Sequence, residues 1–66
     1  SGEIEMLISN LFDLPDEERM IIGMHLFCGY KSREIAKLLH MNENTVRSKI
    51  ARGTQKLKRE LVNDGE

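Results

Sequence analysis

Apolar residues along this chain recur at intervals of three and four, and no stretch alternates at period two. The pattern predicts helices and no strands. Ile4, Leu7, Ile8 and Leu11 form one stripe at i, i+3, i+4 and i+7, so a first helix is expected over residues 3–12. Pro15 suits the first turn of a second helix, where a missing N–H costs nothing. Asp16, Glu17 and Glu18 follow it and favour the positive end of that helix's dipole. Residues 20–28 are apolar nearly all round, which marks helix 2 as the central and most buried element, with Gly29 as its terminator.

Ser32 is the expected N-cap of helix 3, whose buried face is Ile35, Ala36, Leu38 and Leu39. That run stops at His40, Met41 and Asn42. Asn42 is a second N-cap, and helix 4 is expected over residues 43–62. Val46, Ile50, Leu57 and Leu61 fall within about 60° of one another at about 100° per residue, a single inward stripe. Gly53 lies on it, where a missing side chain lets another backbone approach. Residues 63–66 read as a frayed polar tail and Ser1-Gly2 as a cloning remnant. The expected architecture is all-α: a four-helix domain at 3–62 with a long, basic last helix, no internal repeat and no linker.

A short helix, a three-residue turn and a longer basic helix make a helix-turn-helix. Ala36 is small where the two helices cross, Met41 can plug the core after the turn, and Val46 and Ile50 face inward. Asn44, Thr45, Ser48 and Arg52 then share the opposite face of helix 4, between about 160° and 260° from Val46. Asn can pair with adenine, Arg with guanine, and Ser or Thr with either. Arg47 and Lys49 flank that face, where the phosphates of a duplex would lie. Lys31, Ser32 and Arg33 stand at the start of helix 3, where free N–H groups and positive charge can hold a phosphate. Lys56 is expected to add a phosphate contact farther along helix 4.

Charge sharpens this picture. The net charge of −1 conceals a split. Residues 1–30 carry six carboxylates against one arginine, whereas residues 31–62 carry nine cations against three carboxylates. Such asymmetry points to a half that binds a polyanion. Composition excludes other classes. A chain of 66 residues is one domain, and it buries only about 60% of the surface its unfolded form exposes. There is no room for two lobes around a substrate cleft, which rules out most enzyme architectures, and the expectation is of a protein that is not an enzyme. With 39% hydrophobic and 32% charged residues it is too apolar for a disordered tail and too polar for a membrane span.

Other chemistry is sparse. Cys28 is the single cysteine, so no internal disulfide can form, and a reducing, cytoplasmic setting fits. His25, Cys28 and His40 lack a fourth ligand, so neither metal nor cofactor is expected; a buried thiol and a partly buried histidine fit better. The methionines read as ordinary core, and Tyr30 as packing across the junction of helices 2 and 3. No nucleophile stands beside a base, and the glycines occur singly, so no phosphate-cradling loop exists.

Four stretches then carry a family resemblance. They are Leu14-Pro15-Asp16-Glu17-Glu18-Arg19, Leu26-Phe27-Cys28-Gly29-Tyr30, Arg33-Glu34-Ile35-Ala36-Lys37-Leu38-Leu39, and Glu43-Asn44-Thr45-Val46-Arg47-Ser48-Lys49-Ile50-Ala51-Arg52-Gly53. Together, over residues 14–61, they resemble region 4 of the bacterial sigma factors of the sigma-70 family, most of all the extracytoplasmic-function group. The resemblance implies a domain that binds the promoter −35 element in the major groove with its last helix. It also implies docking on the β flap of the RNA polymerase core and, in many such factors, cover by an anti-sigma protein. Carried over, Thr45, Arg47, Ser48, Lys49 and Arg52 would touch bases and phosphates, with Arg47 and Lys49 on the backbone. His40 stands where the family usually has Gly, at a turn position that often needs φ > 0. Thr54 and Gln55 replace residues that are often basic, which implies weak nonspecific affinity. Two rivals are a LuxR-type response-regulator DNA-binding domain and a helix-turn-helix protein-interaction module that binds no DNA.

Overall fold

A computed structural model describes residues 2–64, with side chains described through Arg59. Four helices account for nearly all of them: α1 (Gly2–Phe12), α2 (Asp16–Leu26), α3 (Ser32–Leu39) and α4 (Glu43–Asp64). The described residues hold no strand, as the apolar periodicity predicts. Asn63 and Asp64, expected in the tail, are helical. Ser1, Gly65 and Glu66 lie outside the described residues, as does the side chain of Leu61.

The core forms two clusters. In the first, Leu11, Leu14, Ile22 and Leu57 are buried, with Leu7 and Ile50 packed against them. In the second, Ile21, Ile35, Ala36 and Val46 are buried, with Met24, Leu39, Met41 and Ile50 around them. Ile21, Ile22, Ile35 and Val46 are fully out of water, each worth about 1.5–3 kcal/mol relative to an exposed side chain. Consecutive residues Ile21 and Ile22 serve different clusters, so α2 touches both. From α4, Val46 serves the second cluster, Leu57 the first and Ile50 both. Helices α1 and α3 each pack on α2 and α4.

Several expectations need correction. Helix α2 is not buried all round: Met20 and Leu26 are exposed, and so is Phe27 just beyond it. The helix stops at Leu26, two residues early, and Cys28 is exposed in the turn rather than a buried thiol. The cause is Gly29, whose φ of 76° turns the chain so that the Tyr30 N–H reaches the Met24 carbonyl at 3.0 Å. Tyr30 itself is exposed. Ile4 and Ile8 of the α1 stripe face solvent, as does Leu38 on α3. Pro15 is the N-cap of α2 rather than part of its first turn, and its carbonyl accepts from the Arg19 N–H at 2.8 Å. Ser32 is the first helical residue of α3, and Lys31 is the N-cap. Lysine has no acceptor to offer, so capping comes from Glu34, which accepts from the Lys31 N–H at 2.9 Å.

The turn between α3 and α4 is closed by backbone alone. His40 adopts φ 56°, ψ 45°, the left-handed region the sequence led us to expect. The Met41 N–H bonds the Ala36 carbonyl at 2.9 Å, and the His40 N–H reaches that of Lys37 at 3.4 Å. This is a Schellman motif, with Met41 packing into the cluster that contains Ala36. Gly53 shows a different device. A Cβ there would lie 2.7 Å from Ile22 Cδ1 and 2.8 Å from Cγ1. The close neighbour is therefore a side chain, not the backbone expected.

Three substitutions test these contacts. His40→Gly relieves the left-handed backbone and should stabilise by a few tenths to about 1 kcal/mol; a thermal melt should show a rise of up to several degrees. Gly23→Ala meets nothing within 4 Å and should gain about 0.5–1 kcal/mol. Gly53→Ala should instead lose about 1 kcal/mol, because crowding fully buried Ile22 outweighs the helical gain. Equal melting shifts for the two alanine variants would contradict the interlock.

Candidate nucleic-acid interface

The start of α4 is set by Asn42. Its Oδ1 accepts from the Asn44 N–H at 2.8 Å, and its carbonyl accepts from the Val46 N–H at 3.1 Å. With Val46 buried on the inner side, Asn44, Thr45, Ser48 and Arg52 are all exposed on the outer one. The structure thus brings together the four residues read as a base-reading face.

The flanking cations are not equivalent. Arg47 is exposed and paired with Glu43 one turn back, Nη2 to Oε2 at 2.6 Å. Lys49 is only 21% exposed and reaches across to Glu17 at the start of α2, 3.2 Å away. Each pair is a surface contact of small net stability. Their effect is to fix where two long side chains point.

On one flank of α4 lies a hollow of about 460 Å³, lined by His25, Lys31, Ser32, Arg33, Glu43 and Arg47. It gathers the end of α2, the start of α3 and the first turn of α4. Three cations and the N-terminus of α3 converge there against one carboxylate, an arrangement suited to an anion. Farther along α4 lies a second hollow of about 370 Å³, lined by Glu18, Arg52, Gly53, Gln55, Lys56 and Arg59, so Arg52 belongs both to it and to the outer face. The expected phosphate contacts are therefore divided: Lys31, Ser32 and Arg33 in the first hollow, Lys56 in the second.

Sequence reasoning missed His25, Glu43 and Arg59. Arg59 follows Lys56 by three and Arg52 by seven, so helical spacing could have found it. Glu43 precedes Arg47 by four and carried the same kind of signal. His25 has no such local signal, because only the α2–α3 turn brings it to the hollow.

A family model described as Sigma-70, region 4 matches residues 4–57. The chain belongs to the sigma-70 region 4 family. No curated protein and no solved structure matches it. Region 4 domains are DNA-binding regulatory modules of sigma factors, not enzymes; they act at the promoter −35 element together with RNA polymerase. Membership decides between the two DNA-binding readings of the sequence in favour of the sigma factor over the LuxR-type domain. No helix among the described residues is long and apolar enough to cross a membrane.

Asn42 holds the first turn of the outward-facing helix. Asn42→Ala should cost about 1 kcal/mol. A denaturation curve should show a lower midpoint with an unchanged slope.

Proposed function

We propose that this domain sets α4 into the major groove of a −35 element as part of an alternative sigma factor of the extracytoplasmic-function type, directing RNA polymerase to its promoters. The observation that carries the reading is one exposed polar face of α4 with a cationic hollow beside its start and a second farther along it. A helix in the major groove has a phosphate backbone on either side, so it needs cations on both flanks and hydrogen-bonding side chains between. Asn44, Thr45, Ser48 and Arg52 would read base edges. Lys31, Ser32, Arg33 and Arg47 would hold one backbone and Lys56 the other. Lys49 would contribute less, because Glu17 already engages it.

The exposed apolar residues of α1 suit polymerase. Ile4 is 60% and Phe12 66% exposed on α1, an apolar strip that fits the β flap or an anti-sigma protein. The site of action is the cytoplasm, where promoter DNA is.

The test is binding to duplexes carrying a −35 sequence selected from a random pool with the complete factor and polymerase core. Arg52→Ala should weaken the selected duplex by about 1–3 kcal/mol and relax the preference at one base pair. Arg33→Ala should weaken all duplexes alike and reduce the salt slope by about one. Unchanged binding and transcription in both variants would favour a protein-interaction module.

A further inference from the structure

Of the two hollows beside α4, only one contains a histidine. His25 lines the first, facing Lys31 from the α2–α3 loop, Ser32 and Arg33 from α3, and Glu43 and Arg47 from α4. Its Nδ1 lies 2.8 Å from the carbonyl oxygen of Tyr30. A carbonyl only accepts, so Nδ1 carries the hydrogen when the ring is neutral. The neutral ring then leaves Nε2 as a bare lone pair, which repels a phosphate oxygen. Protonation makes Nε2 a donor and adds positive charge to the hollow, while the bond to Tyr30 is kept. Glu43 is the one carboxylate in the lining, and Arg47 engages it at 2.6 Å. The added charge therefore falls in a hollow whose other cations, Lys31, Arg33 and Arg47, already outnumber its acid.

We infer that His25 is a proton-dependent contact to the DNA backbone, gripping a duplex phosphate in this hollow through Nε2 more tightly as pH falls. The inference rests on the DNA-binding reading and adds a residue to it. Such a contact is blind to base sequence, so it acts on any duplex. It makes the strength of promoter engagement rise on acidification.

The test uses the 66-residue chain and a short duplex of arbitrary sequence at low salt. Affinity is measured at about pH 7.5 and about pH 5.5, the window in which histidine charges. The wild-type chain should tighten about three- to tenfold on acidification, and its salt slope should steepen by about one. His40→Gly, which removes the other histidine, should retain the gain, and His25→Gln should lose most of it. Nitrogen-15 spectra of the wild-type imidazoles supply an arm that needs no variant to fold. Adding duplex at about pH 6.5 should move His25 Nε2 toward its protonated position. A His25→Gln gain equal to wild type, or an unmoved Nε2 signal, would overturn the inference and leave DNA binding standing. Absence of duplex binding by the wild type at both pH values would overturn both.

Discussion

Ile22 sits in the notch that Gly53 leaves in α4, closer to that backbone than any side chain there would permit. The contact sets how near α2 and α4 approach, and both clusters inherit the distance. Ile22 fills the first cluster, while its neighbour Ile21 fills the second. The inner side of α4 is thus committed to packing, with Val46, Gly53 and Leu57 all buried. What remains for function is the outer side, and its residues are polar or cationic. Burial on one face and exposure of Asn44, Thr45, Ser48 and Arg52 on the other are two results of a single packing decision.

The same economy governs the angle between α3 and α4. A Schellman closure at Met41 and Ala36 ends one helix, and the Asn42 side chain starts the next within two residues. The short turn leaves little freedom for the second helix to swing. The cations at the start of α3 are therefore held beside Arg47 of α4, and the first hollow is a product of the turn rather than of any one helix.

Much of this was legible in the sequence because it is local. Apolar spacing located all four helices, Asn42 announced its cap, and His40 announced a left-handed turn by standing where Gly is usual. The outward face of α4 followed from the inward position of Val46 alone. Errors arose where tertiary contacts decide. Helix α2 looked buried all round because composition cannot tell which apolar residues a partner covers, and in this chain Met20, Leu26 and Phe27 are exposed. The Gly53 notch was read as room for backbone, since spacing shows a gap but not its occupant. Ser32 was read as a cap from its residue type, whereas Glu34 capped the helix by reaching back to Lys31. His25 drew attention only as a metal ligand to be set aside, because its neighbours in the hollow come from three different segments.

The division of the core into two clusters has a consequence for how the domain opens. Among the described residues only Ile50 packs against both. Cooperative opening tends to follow such seams, and units with few shared contacts come apart separately. Helix α1 contributes to the first cluster alone, through Leu7 and Leu11. Ile21, Ile35 and Val46, packed around the turn, form their cluster without it. A partner that engaged α1 would touch a helix that shares no buried cluster with the turn between α3 and α4.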